Sequence, residues 1–546
     1  MRSLVLQLHP SDNVLVALRD LPAGQVVETP GGTLTLLEPC PAKHKLTMVE
    51  LPAGAPVIQY GVTVGRTTRA LARGSRIWTD NTIHATDAAD PARAGDFLWT
   101  APDVSRFAGR SFQGYRRPDG RVGTRNCWLV IPLVFCENIN LLTLREVFFR
   151  ELGYGRTGPY ESYLRALVGA HRAGAPLDGV LFEPERTSQP GRVFPNVDGV
   201  RFLVHHMGCG GVASDAASLS ALLASYIVHP NSAGATVVAL GCEKAERHLV
   251  EAALDRLSPG HGRPVHFFEQ QRSGTEQTLM KDAIRVTFDG MAAANAARRE
   301  PSPLSALTIG VKCGGSDGFS GISANPVVGH VSDLVVALGG ASVLAEFPEL
   351  AGAEPDLVRR AVAPELGRKF LELMAAYERA ANACGASMDN NPSPGNIRDG
   401  LITDAIKSVG AGKKGGTSPV VDVQDYPGFI RKPGLTLLNS PGHDLEATTA
   451  MAGAGANLIL FTTGLGTPTG NVIVPTIKIS TNTRIARHMH DAIDFDTGGV
   501  IDGDDTIESL GERLLDCCID VASGRLVKAE ELNQDDFMPW KRGVSL

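Results

Sequence analysis

The segment LTIGVK, residues 307–312, runs straight into Cys313 and the glycine-rich loop CGGSDGFSGISANP, residues 313–326. Three further segments have the same form: LVIPLVF (129–135) ends at Cys136, RFLVHHMG (201–208) at Cys209, and TVVALG (236–241) at Cys242. Short, nearly unbroken apolar runs rich in Val, Ile and Leu read as strands buried on both faces, the habit of parallel sheets. The carboxyl ends of parallel strands open on one crevice, where such sheets take their ligands. Four thiols at strand ends would therefore meet there, and soft thiolates suit iron, an iron–sulfur cluster or zinc. Any one of them, taken alone, is also a small hydrophobe of the kind that fills cores.

Between these runs lie helical patterns such as NLLTLREVFFREL and EAALDRL, so the middle of the chain reads as a doubly wound sheet. Later strands are SPVVDV, LTLLNS, NLILFTT and VPTIKIS. The amphipathic stretch PDLVRRAVAPELGRKFLELMAAYERAANA is interrupted at its internal AP, and TIESLGERLLDCCIDVAS forms a last helix. Cys517 and Cys518 are neighbours in that helix, about 100° apart, and are assigned to packing. The first 95 or so residues differ: short alternating runs (VLVAL, TLTLL, APVIQYGVTV) broken by Pro and Gly read as a small all-β module. A linker is expected from Thr100 to Arg117. The expected division is 1–97 for the β module, 110–300 for a Rossmann-like α/β domain with a mostly parallel sheet, and 301–546 for a carboxyl-terminal α/β catalytic domain.

At 546 residues, 43% apolar and 20% charged, the chain has the composition of a globular protein of about three domains. No apolar stretch approaches the roughly 20 residues of a membrane span, and MRSLVLQLHPSDN lacks a signal-peptide cleavage site. A cytoplasmic location is expected, with nine cysteines kept reduced. The net charge of −7, with no basic block, argues against nucleic acid. Nucleotide signatures are also poor: GLGTPTG (464–470) lacks the dinucleotide spacing, and GAGKKGG (410–416) lacks the ending of a P-loop.

Three loops, CGGSDGFSGISANP, DNNPSPGN from Asp389 and TTGLGTPTGN from Thr462, can bring backbone N–H groups close to a carboxylate. In them Ser316, Asp317, Asn325, Asn391, Ser393 and Thr467 are candidates to hold substrate hydroxyls and carboxylate. The acid–base candidates are His205, beside Cys209, together with His9 and His44 of the β module and Lys478 in VPTIKIS.

Taken together, GYRRPDGRVGTRN (114–126), GCEKAE (241–246), the Cys313 loop, NNPSPGN, TTGLGTPTGN and IDFDTG (493–498) resemble the altronate and galactarate dehydratases. LHPSDNVLVAL and KHKLTM resemble the SAF, or β-clip, module of those enzymes. The resemblance implies an iron-dependent lyase that removes water from a sugar acid to give a 2-keto-3-deoxy acid, in a three-domain chain that forms a homodimer. It implies Fe2+ as cofactor, with an iron–sulfur cluster or another divalent metal as alternatives. Cys136, Cys209, Cys242 and Cys313 are then the ligand pool, His205 the favoured base, and His9 and His44 contributions from a module that closes over the pocket. The late loop of the family often reads TGRGTPYG, and here Leu465 and Thr469 replace Arg and Tyr; Ile397 stands where Lys is common. Fewer cations beside a carboxylate pocket favour an altronate-like aldonate over galactarate. Trp78, Thr79, Asp80 and Asn81 replace a His-x-His-Asn stretch of some altronate dehydratases. A carbon–sulfur lyase acting on sulfolactate and an inactive binding protein are the competing expectations.

Overall fold

The computed structural model describes residues 3–95, 97–155, 159–182, 191–388 and 391–546. It forms two units: Met1–Thr124 with Arg299–Arg542, and Arg125–Arg298 with Gly543–Leu546. The architecture is α/β, with an amino-terminal module of short strands and a large parallel sheet.

The second unit is built on four parallel strands in the order Gly199–Phe202, Cys127–Pro132, Ser232–Ala239, Val265–Glu269. The apolar side chains of Cys127–Pro132 are buried on both faces, as its unbroken apolar run requires. Helices Asn138–Leu152, Ala213–Ile227, Arg247–Leu257 and Glu276–Ala294 connect or follow the strands. Trp128 fills the core against Gly290, where a Cβ would lie 2.1 Å from the indole, so only glycine admits the ring. The chain runs from Cys127–Pro132 to a strand on one side and then to Ser232–Ala239 on the other, which puts the switch point of the sheet between them.

The larger sheet of the first unit has seven parallel strands, in the order Val420–Gln424, Gly434–Leu438, Ala341–Leu344, Thr308–Cys313, Leu458–Thr463, Thr476–Ser480, Phe495–Asp496. Successive strands after Thr308–Cys313 first go one way, and from Leu458–Thr463 onward the other way. The crevice between the ends of these two strands is again the switch point. Helices Ala324–Ala337 and Ile507–Ala522 bury Val327, Val331, Leu514 and Cys518 in the core of this unit. The expected break at AP is a new start: Glu354–Arg359 ends, and Pro364–Ala383 begins with Pro364 at its first turn.

The β module is a set of small antiparallel sheets, the largest ordered Val5–Leu6, Val14–Ala17, Lys45–Thr47, Arg76–Ile77. Its Val14, Val57 and Val64 share a core with Leu401, Ile402, Ile406 and Val409, so the module packs directly on helix Asp404–Gly412. The expected linker is partly ordered. Ser111–Arg116 is a strand paired antiparallel with Glu300–Pro303, because Phe112 and Tyr115 are apolar positions that find burial there.

Candidate active site

At the switch point of the seven-stranded sheet, Lys312 ends its strand inside a carboxylate pair. Its Nζ is bonded to Glu346 Oε1, lies 2.7 Å from Asp444 Oδ1, and donates to the Cys313 carbonyl at 2.7 Å. Glu346 Oε2 takes a second lysine, Lys414, at 3.1 Å. Lys312, Glu346 and Lys414 are all buried, and Glu346 holds a left-handed backbone at φ 69°, which costs a side-chain-bearing residue about 1 kcal/mol or more. Burial would pull the Lys312 ammonium down, but Glu346 and Asp444 outweigh it and hold it above the usual lysine value.

Lys478 has the opposite setting. The ring of Phe461 lies between the two lysines, each Nζ 5.7 Å from its centroid. Lys478 donates to the Thr467 carbonyl at 2.8 Å and to Gln534 Oε1 at 3.0 Å, neither of them charged. Burial brings it down to about 8, against the weaker pull of Asp494, Asp536 and Asp444. Gly314 lets the Cys313 loop reach this spot, since a Cβ would lie 2.5 Å from Phe461 and 2.7 Å from the Asp444 carboxylate.

A third group adjoins these. Lys407 Nζ lies 2.9 Å from Glu349 and 2.8 Å from Asn391 Oδ1. Asp404 is bonded to Ser408 and has Oδ2 buried with no hydrogen-bond partner; burial, reinforced by Glu349, pushes its carboxyl up to about 8. The β module contributes Lys43, 3.0 Å from Asp317 Oδ2 and 3.1 Å from Asp399 Oδ2. His44 Nε2 is 3.0 Å from the Arg398 carbonyl and its ring sits 4.8 Å from Trp78. Its Nδ1 is buried without a hydrogen-bond partner, and burial pulls the ring below the usual histidine value. Lys45, buried behind them, is brought down by burial to about 7.

The candidates from the loops divide. Ser316 Oγ lies 2.7 Å from Cys313 Sγ, and Thr467 Oγ1 3.4 Å from Thr463 Oγ1, both at the switch point. Asp317 accepts from the Phe319 amide and the Ser320 hydroxyl, and Gly464 packs against it. Asn325 is spent on the fold: its Nδ2 donates to the Gly410 carbonyl at 3.0 Å and its Oδ1 accepts from Thr462 at 2.7 Å. Ser393 caps the short helix Pro394–Arg398. Asp389 and Asn390, which open the second loop, lie outside the described residues. His9 is held in a turn of the module, 2.6 Å from Ser11 Oγ and packed on Gly61.

In the second unit Cys136, Cys209 and Cys242 are exposed beyond the ends of three adjacent strands; the Cys136 thiol is raised above its ordinary value, first by partial desolvation and then by Cys209 and Cys242. Their loops are tied together: the Phe135 amide donates to the Met207 carbonyl at 3.0 Å, and the Lys244 amide to the Gly208 carbonyl at 2.8 Å. His205 is the clamp of this region. Its Nε2 donates to the Pro132 carbonyl at 2.9 Å and its Nδ1 accepts from the Met207 amide at 3.1 Å. With both nitrogens engaged by backbone, and burial bringing the ring down to about 4, it is a neutral histidine that positions the Cys209 loop, which corrects its reading as the base.

Comparison with known proteins agrees along the whole chain. Three family descriptions match: the altronate/galactarate dehydratase SAF domain at residues 3–85, the D-galactarate dehydratase/altronate hydrolase second domain at 114–295, and the D-galactarate/altronate dehydratase carboxyl-terminal region at 304–545. The altronate dehydratase of Bacillus subtilis (strain 168) is 34% identical over 99% of both chains, and that of Escherichia coli (strain K12) 32% identical over 99% of both. The galactarate dehydratase (L-threo-forming) of Escherichia coli (strain K12) is 31% identical over 95% of this chain and 93% of its own. The chain belongs to the altronate/galactarate dehydratase family. It is thus a member of a family of hydro-lyases acting on sugar acids.

Reasoning from sequence alone missed much of the charge at this crevice: Glu346, Glu349, Asp404, Lys407, Lys414 and Asp444. The available signal was acidic residues directly after a buried strand, in LAEFPEL, and Lys414 inside the segment dismissed as a P-loop. Iron, which the family resemblance implies, can be set against the side chains present. Thiols have the right softness for it. Among the described residues, however, no three His, Cys, Asp or Glu side chains are gathered around a point that would hold one ion, and Cys313 is buried against Ser316.

Proposed function

We propose that this chain is an iron-dependent dehydratase of an altronate-like aldonate and that its product is the 2-keto-3-deoxy acid. The observation that carries the reading is the pair of lysines flanking Phe461, whose surroundings push their protonation in opposite directions. Two neighbouring groups driven apart in this way are what acid–base chemistry at neutral pH needs. In the neutral form that Lys478 reaches as pH rises through about 8, it spends its two N–H bonds on Thr467 and Gln534 and keeps one lone pair, which takes the proton α to the substrate carboxylate. Lys312 stays an ammonium, fixed by Glu346 and Asp444, and stabilises the negative charge of the enediolate that forms. A proton for the departing β-hydroxyl is available from the Asp404 carboxyl, which burial keeps protonated. The enol left by loss of water tautomerises to the ketone.

The β module adjoins the Cys313 loop through Lys43, which pairs with Asp317 and Asp399, and through His44, bonded to the Arg398 carbonyl. The test is turnover by anaerobically purified, iron-replete protein on a panel of aldonates, aldarates and sulfolactate, scored for 2-keto acid and for sulfite. A 2-keto-3-deoxy acid from an aldonate supports the reading. Reaction confined to galactarate moves the substrate to the dicarboxylates, and sulfite release replaces dehydration with carbon–sulfur cleavage.

A further inference from the structure

Lys478 stands in the field of three carboxylates, Asp494, Asp536 and Asp444, with Lys312 facing it across the Phe461 ring. Each carboxylate is spent elsewhere. Asp494 accepts from the Lys478 amide at 2.8 Å and the Lys528 amide at 2.9 Å, Asp536 from the Thr469 hydroxyl at 2.9 Å and the Gly470 amide at 3.1 Å, and Asp444 pairs with Lys312. Among the described residues the Lys478 Nζ bonds only the Thr467 carbonyl and Gln534 Oε1. We propose that Gln534 is the positioning residue of Lys478, delivered by the loop 533–536 as an acceptor that fixes the direction of Nζ without setting a charge against it. The inference rests on Lys478 being the base, as proposed above.

The loop is seated from both sides. It follows helix Lys528–Glu531, turns at Asn533 with a left-handed backbone at φ 55°, and returns the Gln534 amide to the Ala529 carbonyl at 2.9 Å. Asp494, by accepting from both Lys478 and Lys528, ties this helix to the strand Thr476–Ser480 that carries the base. On the far side the Val472 amide donates to the Asp536 carbonyl at 3.1 Å, beside the bonds from Thr469 and Gly470 to the Asp536 carboxylate. Gly470 passes so near that a Cβ there would overlap the Gln534 carbonyl. The backbone from which Gln534 reaches is therefore fixed to the loop that supplies the Thr467 carbonyl. A lysine has a flexible four-carbon stem with rotatable donors, and two fixed acceptors remove that freedom. An ammonium can only donate, so the amide must present Oε1 to it. A glutamate of the same length would reach the same spot, but an opposite charge at this range favours the charged form by about 1–3 pKa units. The base would then keep its proton where the chemistry needs it released.

The experiment follows the pH dependence of the full chain by two readouts: kcat/KM of the iron-replete protein on the aldonate it dehydrates, and the isotope-edited NMR resonance of the Lys478 Nζ, assigned by its absence from Lys478→Arg. Gln534→Glu should raise the midpoint of both curves by about 1–3 pH units, with turnover approaching that of the parent above the new midpoint. Gln534→Leu, which adds no charge and keeps the test open if the glutamate variant does not fold, should lower kcat about tenfold or more with KM little changed, since the base loses its aim and not the substrate its contacts. A role confined to stability would lower Tm in both variants and leave the midpoints in place. Unmoved midpoints in Gln534→Glu, or parental kcat in Gln534→Leu, would overturn the proposal. A resonance that moves as expected in a chain that dehydrates no sugar acid would leave the Gln534 contact standing and remove the proposed function, so the two failures are distinguishable.

Discussion

Replacing Glu346 by Gln tests the buried charge system at the crevice. Glu346 is the counter-charge of Lys312 and of Lys414, and all three side chains are withdrawn from water. After the substitution Lys312 still has Asp444 at 2.7 Å, but no other ion pair involving Lys414 is found among the described residues. An uncompensated buried ammonium costs about 3–5 kcal/mol. With an unfolding entropy of about 2.1 cal/mol/K per residue, a unit of this size should lose roughly 5 °C in Tm, read by differential scanning calorimetry. The double variant Glu346→Gln/Lys414→Met should recover most of that loss, since it removes both charges together. The pH dependence has a definite sign. Burial alone would raise the Glu346 carboxyl, yet Lys312 and Lys414 hold it below the usual glutamate value. Its stabilisation is therefore complete above the ordinary value and is lost as pH falls through the depressed one. The Gln variant should lack that acid-side loss. A cost below about 1 kcal/mol, or a double variant no more stable than the single one, would show that Glu346 is not balancing Lys414.

Lys478→Arg keeps a cation that cannot become neutral; turnover should fall by about 10²–10⁴-fold, and the rise in kcat/KM through pH about 8 seen in the parent should vanish. A persisting rise in the variant would exclude Lys478 as the base. Asp404→Asn should stabilise the protein at pH 8. The native carboxyl titrates at about 8 because of burial and then Glu349, so it retains a proton that the unfolded chain loses above about 4, and native stability falls as pH rises between the two. Urea denaturation at pH 5 and pH 8 should show a smaller difference for the variant, and an unchanged difference would refute the assignment. Gly464→Ala places a Cβ 2.4 Å from Asp317 Cγ, and the resulting shift, about 1–3 kcal/mol of strain, should loosen the Lys43–Asp317 pair. Turnover should drop at least tenfold while the Tm changes by a few degrees; full activity would remove Asp317 from the pocket.

The parts of this molecule that were legible in its sequence are those set by neighbours along the chain. Parallel strands sealed on both faces are apolar at most positions, so LTIGVK, NLILFTT and TVVALG announced themselves, and the residues after them had to lie at the carboxyl edge. Cys136, Cys209 and Cys242 were placed by that rule, whereas Cys313, expected to meet them, ends a strand of the seven-stranded sheet and not of theirs. Pairings across long sequence separations carry no such mark. Glu346 meets Lys312 from 34 positions away and Lys414 from 68, and nothing in the local pattern of either lysine distinguishes it from one that reaches for solvent. His205 misled for a related reason. A histidine beside a thiol at a strand end looks like a base, but its role is set by two backbone groups, Pro132 O and Met207 N, whose positions exist only after the loop has folded. The same holds for Asn325, which looked available for a sugar hydroxyl and is consumed by Gly410 and Thr462. Buried polar groups must be satisfied. A polar residue just beyond a strand is therefore a catalytic candidate only to the extent that the fold leaves some of its hydrogen-bonding capacity unused, and in this crevice Lys478 and Asp404 retain it.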